Sequence, residues 1–409
     1  MHDKKLGPLL LSGLMIGPIL GSGIIILPPL VYQVAGNWAF PAWLLIVGTS
    51  FFFATIFGRL SILFPGSGGV ANAIAHAFGE RVKLLTSYYL IGAVLFGPVA
   101  VMLTAARYLE MGSGYPLAVI GAAPLAVCTG MLLLQVTSIG RISLFISTLV
   151  AATLFAGATT VLLFHQKGSL ALPPFSGSEF GYGLLLLFWT VVGWEVVGNY
   201  SGDVRDPEKT IPRAVTFSVC IMAIVSLSVA GAVQMISPEL IAGNTITITD
   251  LIRPLFGRYS DAGMAILVTS LCITSYLLFT GGVARLIAFL AEQKELPGFL
   301  AQKSPGKAPA SAILFLASCH FLVLGGVYLG LTDIEQLVAL ANGFFIANAL
   351  IGILAAIKLL ESGVLRIAAT LLSLVFTGIF LQSAKPVIAI IFCMGIYFLY
   401  RAKPRSQKN

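Results

Sequence analysis

The residues most able to bind a ligand lie in two interrupted apolar segments. The first, GPILGSGIIILPP, contains Gly17, Pro18, Gly21, Ser22 and Gly23. Glycine and proline weaken a helix, and a break inside a membrane frees backbone N–H and C=O groups that need partners other than lipid. Such groups are tolerated where they line a cavity. Helix packing is the alternative, since Gly17 and Gly21 form a small-xxx-small pair, and taken alone the spacing favours packing.

The second interrupted segment, LLLLFWTVVGWEVVGNYSGD, contains the acid Glu195 between Gly193 and Gly198. A bare carboxylate in the middle of a bilayer costs about 2.5 to 3.5 kcal/mol on the insertion scale. This group is therefore expected to be protonated, partnered or functional. Proton sensing and a structural hydrogen bond to unwound backbone are both open roles, and they can coexist.

A membrane must position these segments, because the chain has too little polar surface to cover itself in water. Charged residues make up 10% of the 409 residues and apolar residues 58%, and the mean hydropathy is +0.97. A soluble domain carries about 25% charged residues. Apolar runs of about 20 residues, the length that crosses the hydrocarbon layer, recur along the chain. We predict twelve transmembrane helices, near residues 8–31, 40–63, 82–109, 116–136, 141–164, 181–201, 211–236, 261–291, 310–331, 334–357, 364–382 and 386–400.

Basic residues predict the orientation of these helices, because Lys and Arg are retained on the cytoplasmic side. With the N-terminus inside, 19 of the 24 basic residues are cytoplasmic, and the five outside are Arg107, Lys167, Arg253, Arg258 and Lys385. Both termini are therefore predicted to be cytoplasmic. The net charge of +8 follows from this topology and from attraction to anionic lipid, so nucleic acid is not implied as a partner.

The sequence lacks the residue patterns of a metal site, a channel or a membrane enzyme. The five cysteines stand singly in apolar runs, without the paired spacing of a metal or disulfide framework, so no metal site and no cofactor are predicted. His320, inside a span, is a candidate proton carrier, although a hydrogen-bonded packing role is favoured. A channel would need a continuous polar pore, and a membrane enzyme a cluster of nucleophiles, acids or metal ligands. Neither pattern occurs in the twelve spans, and no catalytic residue is predicted.

The positions of the two interrupted segments favour a transporter. They are the first and sixth spans, which are equivalent if five helices are repeated as five inverted helices. Paired interrupted helices in matching halves are typical of a transporter site near the middle of the membrane. The LeuT fold has this architecture, and resemblance to it implies an all-α integral membrane protein of about twelve transmembrane helices, with a LeuT-like 5+5 inverted repeat and broken helices 1 and 6. The expected parts are a first repeat at 1–165, a second inverted repeat at 181–357, and two additional helices with a cytoplasmic tail at 362–409.

Four segments resemble the marker segments of the amino acid-polyamine-organocation (APC) superfamily. They are GSGIIILP in the first span, PGSGGVANAIAHAFG after the second, GWEVVGNYSGDVRDPEKTIPRA leaving the sixth, and ARLIAFLAEQKELPGFLA leaving the eighth. They extend over about residues 17–310 in the expected order. The short chain without extra domains is most similar to the bacterial amino acid exporter branch, which includes methionine and branched-chain amino acid exporters.

The resemblance implies how the two breaks bind an amino acid. Amides at the first break lie at a half-helix N-terminus, whose partial positive charge suits the substrate carboxylate. Carbonyls at the second break take the ammonium group. Trp189, in the pattern W-x-x-x-G-x-E, resembles the gating tryptophan of the related arginine-agmatine antiporter, with an ordinary packed aromatic as the alternative. The implied binding residues are Gly21, Ser22, Gly23, Ile24, Trp189, Thr190, Val191, Val192 and Gly193, and Trp189 and Glu195 are implied in gating or proton coupling.

The coupling ion is expected to be a proton, with sodium as the alternative. Some proton-coupled relatives carry a lysine in the fifth span, but here that span has no basic residue beyond Arg141 at its edge. Thr274 and Ser275, with carbonyls near Gly17 and Leu20, form a candidate sodium site. Hydroxyl groups within a span usually bond to their own helix, so sodium coupling is the less favoured interpretation.

We therefore expect a secondary active transporter of neutral, apolar amino acids in the cell inner membrane, working by alternating access. Apolar substrates are favoured because no charged residue besides Glu195 lies deep in the expected site. Proton-coupled export is favoured over uptake through the resemblance alone. Amino acid uptake or exchange, coupled to protons or sodium, is the alternative. The expected partners are the amino acid, the coupling ion and the lipid bilayer.

Overall fold

The computed structural model describes most of the chain. The described residues are 7–9, 11, 12, 15, 16, 21–65, 70–110, 114–134, 139–168, 171–194, 204–241, 246–304, 308–361 and 363–400. Their regular structure is helical, apart from isolated β-bridge residues at Gln166, Val204 and Ile236, of which Gln166 and Ile236 form an antiparallel pair. Gly17, Leu20 and Glu195, all singled out by the sequence, lie outside the described residues.

Helices account for nearly every apolar run of the sequence. In the first predicted span, residues 8, 9, 11, 12, 15 and 16 are helical and a turn at residues 21 and 22 precedes the next helix. The α-helices named in the described residues are α1 Gly23–Ala35, α2 Ala39–Leu63, α3 Val70–Phe78, α4 Glu80–Leu109, α5 Leu117–Leu133, α6 Ile139–Phe164, α7 Gly177–Leu187, α8 Pro207–Met235, α9 Ile248–Phe256, α10 Ser260–Glu292, α11 Ala310–Tyr328, α12 Ile334–Leu359, α13 Gly363–Phe380 and α14 Lys385–Tyr400. Short 3₁₀ turns lie at Gly36–Trp38, Phe188–Thr190, Pro238–Leu240, Gly257–Tyr259 and Gly298–Ala301.

Several of these helices begin where the sequence supplies a capping side chain. Asp333 accepts a hydrogen bond from the amide of Gln336 (2.8 Å) at the start of α12. At the start of α9, Thr247 and Asp250 form a reciprocal capping box. Side-chain oxygens at these positions satisfy amides that the first helical turn cannot pair internally. The caps therefore define where the helices start independently of the surrounding lipid.

The described residues contain eight helical stretches long and apolar enough to cross a membrane, and the shorter apolar helices Leu117–Leu133 and Lys385–Phe398. Two of the eight, Gly23–Leu63 and Ile248–Glu292, contain two α-helices joined by a 3₁₀ turn. The expectation of an all-helical, membrane-spanning protein is confirmed. The chain is a multi-pass membrane protein.

One helix lies where the sequence analysis predicts only a connection. The predicted spans leave residues 237–260 unassigned, yet α9 occupies Ile248–Phe256. Its nine residues are too few to cross a bilayer. Its N-terminal residues Ile248–Ile252 are all buried, and the helix contacts α6 and α10. A hydropathy criterion based on spanning length misses such a helix, whereas its capping box is visible in the sequence.

The centre of the bundle is built around α4. This helix packs along α10 and α12, while α2 packs along α8 and α6 contacts α10. α4 also carries Pro98 in its interior, where the missing N–H leaves one carbonyl of the preceding turn without its usual donor. The residues that flank the two interrupted segments meet at this central helix.

Candidate substrate-binding site

The first interrupted segment leads into a buried helix start. Gly21 and Ser22 form a turn, α1 begins at Gly23, and the Ser22 carbonyl accepts bonds from the amides of Ile25 and Ile26, each at 3.1 Å. The opening amides of a helix have no intrahelical acceptor, and together they carry a partial positive charge. Ser22 and Ile24 are each 2% exposed. The residues expected to hold the carboxylate thus lie at a helix N-terminus inside the protein.

The second interrupted segment ends a helix at the expected place. α7 stops at Leu187, a 3₁₀ turn covers Phe188–Thr190, and the chain then turns through Gly193, which has a φ of 114°. Residues with a β-carbon rarely adopt that backbone conformation, so a glycine at position 193 permits the change in direction. The expected break in the sixth span is therefore present on its α7 side, and its continuation from Glu195 lies outside the described residues.

The last carbonyls of α7 and the carbonyl of Phe188 all accept hydrogen bonds. The carbonyls expected to bind the substrate ammonium group begin at the next residue, Trp189. Asn342 of α12 donates through Nδ2 to the carbonyls of Leu185 (2.7 Å) and Leu186 (3.0 Å). Thr190 Oγ1 donates to the Leu187 carbonyl at 2.8 Å, and the Val191 amide donates to that of Phe188 at 2.9 Å. The carbonyls of Trp189–Val192, which the sequence analysis assigns to the ammonium group, follow directly.

Trp189 links the two breaks and the central helix. A β-carbon added at Gly23 would lie 3.0 Å from Cδ1 of its indole, and one added at Gly97 would lie 2.9 Å from Cη2. The indole is 7% exposed and meets the ring of Phe345 edge-on, with centroids 6.2 Å apart. The two glycines thus leave room for the indole between α1 and α4. Trp189 therefore lies beside the first break, and its gating role stays a prediction.

A small apolar cavity lies against Trp189. Its volume is about 10 Å³, room for roughly one water molecule. No charged side chain lines it among the described residues. It is lined by Val94, Gly97, Pro98, Val101, Trp189, Ser275, Tyr276, Phe279 and Phe345. α4, α10, α12 and Trp189 supply these walls, so the cavity is a small, apolar space beside the second break.

A second and larger cavity, of about 670 Å³, lies beyond the first. It is formed by α1, the C-terminal end of α4, α9, and the N-terminal ends of α10 and α12. Arg253 lines this cavity and forms two ion pairs. Its Nε lies 3.0 Å from a carboxylate oxygen of Asp250, and its Nη2 lies 3.0 Å from one of Asp261. The pair with Asp261 joins α9 to α10. The central cavity is thus small and apolar, whereas the cavity at one end of the bundle is larger and lined by charged side chains.

The candidate sodium ligands are only partly described. Thr274 lies in α10, and its hydroxyl donates to the Leu271 carbonyl of its own helix at 2.9 Å. Ser275 lines the apolar cavity. Their expected partners, Gly17 and Leu20, lie outside the described residues. Thr274 thus makes the bond within its own helix that is the alternative to binding sodium.

The sequence analysis did not identify several residues of this site. Asn342 left a signal, because an amide side chain is costly in an apolar span. Pro98 left a weaker one, because proline frees a backbone carbonyl but occurs in several of these spans. Tyr276, Phe279 and Phe345 left none, since aromatic residues in a span are ordinary packing residues. Their place on the cavity wall depends on which helices are neighbours, and the sequence pattern does not contain that information.

An all-helical bundle in which two interrupted segments meet beside a buried apolar cavity is typical of membrane transporters. The match to the family model described as amino acid permease covers residues 6–408. The chain belongs to this family of transporters, which is not a family of enzymes, and its substrate is a small molecule of the amino acid class.

Similar curated proteins are also transporters. The chain is 26% identical over 351 residues to the uncharacterized amino acid permease YecA of Bacillus subtilis (strain 168), covering 82% of this chain and 80% of that protein. It is 24% identical over 347 residues to the L-methionine/branched-chain amino acid exporter YjeH of Escherichia coli (strain K12), covering 82% and 81%. It is 21% identical over 288 residues to the low-affinity putrescine importer PlaP of the same organism, covering 67% and 64%. The expected relationship to APC transporters, with an exporter among the relatives, is confirmed.

Proposed function

We propose that this protein is a secondary active transporter that exports neutral, apolar amino acids across the cell inner membrane by alternating access, coupled to protons. The observation that carries the proposal is the apolar cavity lined by Trp189, whose indole also lies against Gly23 at the start of α1. Backbone at the two breaks binds the groups common to all amino acids. The cavity walls contact the side chain that differs between them.

The proposed site divides the substrate between two kinds of contact. Amides of Gly21–Ile24 hold the carboxylate, because they lie at a helix N-terminus with its partial positive charge. Carbonyls of Trp189–Val192 hold the ammonium group, because the chain there is no longer α-helical. The side chain lies along Tyr276, Phe279 and Phe345. Apolar contacts of this kind favour leucine-like or methionine-like side chains over charged ones.

The proposed architecture has twelve transmembrane helices in two inverted repeats, at residues 1–165 and 181–357, followed by two helices and a tail at 362–409. Helix contacts support the repeat. In this scheme each span of the first repeat corresponds to the span five places later. α4 and α12 are the third and tenth spans, so their counterparts are the eighth and fifth spans, α10 and α6. A contact between α4 and α12 therefore predicts one between α10 and α6. Both contacts occur. The self-paired contacts of α2 with α8 and of α4 with α10 occur as well.

Both termini are proposed to be cytoplasmic, which puts the large cavity on the outer side. Arg107 and Arg253, two of the few basic residues that the sequence assigns to the outside, line that cavity. The central cavity leaves about 10 Å³ while the outer one has about 670 Å³. This combination suits a state that is closed around the site and accessible from outside, one of the states that alternating access requires.

Export by proton antiport is proposed on the relative YjeH, whose name states export of methionine and branched-chain amino acids. Polyamine transport, which the name of PlaP states for that relative, is less well supported here. A dication would need acidic groups in the cavity, and the described lining has none. Glu195 supplies the proposed proton site because it is the acid at the second break.

Counterflow in proteoliposomes tests the proposal. Vesicles holding the full-length protein are loaded with one unlabelled amino acid and diluted into its labelled form, across the twenty common amino acids and putrescine. Transient accumulation of labelled leucine, isoleucine, valine or methionine is expected, since exchange through an alternating site requires it. Accumulation of putrescine or of charged amino acids alone would contradict the apolar substrate class. A labelled signal that equilibrates without overshoot would contradict alternating access.

A further inference from the structure

A proline in the central helix creates an unusual hydrogen-bonding need next to the cavity. Pro98 lies in the interior of α4. Proline has no N–H, so the carbonyl four residues earlier, that of Val94, lacks its normal intrahelical donor. Val94 and Pro98 both line the central cavity. An unpaired carbonyl buried here would be costly, because neither lipid nor an apolar substrate can pair with it.

His320 of α11 supplies the missing donor. Its Nε2 lies 2.8 Å from the Val94 carbonyl oxygen, and the side chain is fully buried. A carbonyl only accepts hydrogen bonds, so Nε2 must carry the proton. In the neutral ring Nδ1 is then an acceptor. The Tyr276 hydroxyl lies 2.9 Å from Nδ1 and therefore donates to it. Hydrogen bonds run in one direction, from Tyr276 through His320 to Val94.

This chain of bonds ends on a wall of the proposed site. Tyr276 lines the apolar cavity together with Pro98 and Phe345. The rings of Tyr276 and His320 meet edge-on, at a centroid distance of 5.4 Å and an angle of 71°. Tyr276 is 1% exposed. Its ring is thus fixed by packing on one side and by a hydrogen bond at its tip, so its face toward the cavity has one orientation.

An apolar set of residues could pack the same space without any of these bonds. Alanine at 98 would restore the backbone donor, leucine at 320 would need no partner, and phenylalanine at 276 would keep the ring. A buried polar network is tolerated only when each of its members is satisfied, and it then fixes a unique arrangement. The polar set has the additional property of holding the Tyr276 ring in one place.

We propose that His320 is a positioning residue that holds Tyr276 against the cavity, and that Tyr276 determines which apolar side chains the transporter accepts. The inference rests on the proposed function, since it concerns the side-chain end of that site. With the hydroxyl tied to Nδ1, the ring sets the length of the cavity. Without this hydrogen bond the Tyr276 ring moves, and the cavity accepts a different range of substrate side-chain sizes.

The test compares substrate selectivity with stability in the full-length, reconstituted protein. Competition by alanine, valine, leucine and methionine in counterflow gives the ratio of apparent KM values for small and large side chains. Tyr276→Phe is expected to change this ratio roughly three- to tenfold, the effect of about one hydrogen bond. The maximal rate for the preferred substrate should change less than the ratio. His320→Leu should change it in the same direction, and the double variant should add little, because both act on one bond.

Two further variants separate positioning from simple structural support. Pro98→Ala returns a backbone donor to Val94, so Pro98→Ala with His320→Leu should recover the melting temperature that His320→Leu loses. Selectivity relative to Pro98→Ala alone should remain altered, because Tyr276 still lacks its acceptor. The control is Tyr89→Phe, on the same helix α4, which removes a buried hydroxyl that donates to the Ile391 carbonyl at 2.9 Å. It should lower stability without changing the selectivity ratio.

Each outcome has a definite meaning. Folded Tyr276→Phe and Pro98→Ala/His320→Leu proteins with the selectivity of their reference proteins would overturn the positioning role while leaving the proposed function intact. Recovery of selectivity together with stability in Pro98→Ala/His320→Leu would also overturn it, since His320 would then only satisfy the Val94 carbonyl. Absence of counterflow by the unmodified protein with every amino acid would overturn the proposed function, and this inference with it.

Discussion

The indole of Trp189 lies directly on Gly97: a β-carbon at position 97 would be 2.9 Å from Cη2 of the tryptophan. The other edge of the same ring faces Gly23. A large side chain from one broken segment therefore fills the space between the other broken segment and the central helix α4. Any substrate held by the two breaks must share this space with Trp189, so the position of the indole and the size of the site are linked.

Replacement of Trp189 by leucine tests whether the indole retains bound substrate. If Trp189 covers the substrate as a gate, Trp189→Leu should speed dissociation of bound leucine or methionine about tenfold, equivalent to roughly 1.4 kcal/mol of lost contact. Dissociation is measured by dilution of labelled substrate. The control is Trp43→Leu, a fully buried indole of α2 outside the cavity lining. It should lower the free energy of unfolding by about 2–3 kcal/mol without changing dissociation. Equal dissociation from both variants would make Trp189 a packing residue.

Valine at Gly23 tests the carboxylate site. Gly23→Val should abolish substrate binding while the protein still inserts and folds, because a branched side chain at the first residue of α1 blocks approach to the amides there. Binding is measured as stabilisation against heat by added leucine. Gly48→Val is the control, since a β-carbon at Gly48 of α2 meets no atom within 4 Å. Wild-type stabilisation of Gly23→Val would contradict the carboxylate assignment.

Gly23→Val also brings the new side chain into close contact with Trp189, because a β-carbon at position 23 would lie 3.0 Å from the indole. Gly23→Val in a Trp189→Leu background separates the two effects. Binding should stay absent if the valine blocks the amides themselves. Recovery of binding to the level of Trp189→Leu alone would show that displacement of the indole, and not loss of the carboxylate site, caused the defect.

Asn342 is expected to maintain the end of α7. Its Nδ2 donates to two carbonyls just before the break, and among the described residues its Oδ1 has no partner. Asn342→Leu removes the donor and also one unsatisfied oxygen, so the free energy of unfolding should fall by about 1–2 kcal/mol. Counterflow should fall further than stability alone explains, because the neighbouring carbonyls lose their fixed geometry. Asn348→Leu, at a half-buried position on the same helix, is the control. An equal loss of counterflow in both variants would argue against a specific role.

Glu195→Gln tests proton coupling at the second break. Desolvation favours the neutral acid, and hydrogen bonds from freed amides favour the anion. If desolvation dominates, the protonation state changes near physiological pH and biases the inward-facing and outward-facing states differently. Glutamine resembles the protonated form, so the variant should bind substrate normally at low pH and show a flattened pH dependence of exchange. A wild-type pH profile in this variant would move the coupling proton elsewhere or favour sodium or simple exchange.

His320 offers a contrast in the same assay. The sequence left it as a candidate proton carrier, but both ring nitrogens are engaged, one by a carbonyl that requires a donor and one by a hydroxyl. The hydrogen-bonded role favoured by the sequence analysis is the one found. The folded Pro98→Ala/His320→Leu protein should therefore keep the pH dependence of exchange, and that dependence is measured beside Glu195→Gln. A flattened profile would return His320 to the coupling pathway.

The sequence by itself determined the class of the molecule and the places where its helices break. Low charge and long apolar runs require a membrane, and only helices can satisfy the backbone of such runs there. Gly193 and the glycines up to Gly23 identified the breaks because glycine acts locally, through the backbone of its own segment. In the structure α1 starts at Gly23, and Gly193 lies in the turn that follows the end of α7 at Leu187.

Only the tertiary structure decided which side chains meet at the breaks. A helix that is apolar on all sides carries no pattern that identifies its neighbour, so the sequence could not pair His320 with Val94, Asn342 with Leu185, or Trp189 with Gly97. Those pairs join residues 226, 157 and about 90 positions apart, and they depend on how α4, α7, α11 and α12 pack. Backbone conformation is encoded locally, whereas the walls of the cavity are a property of helices brought together from distant parts of the chain.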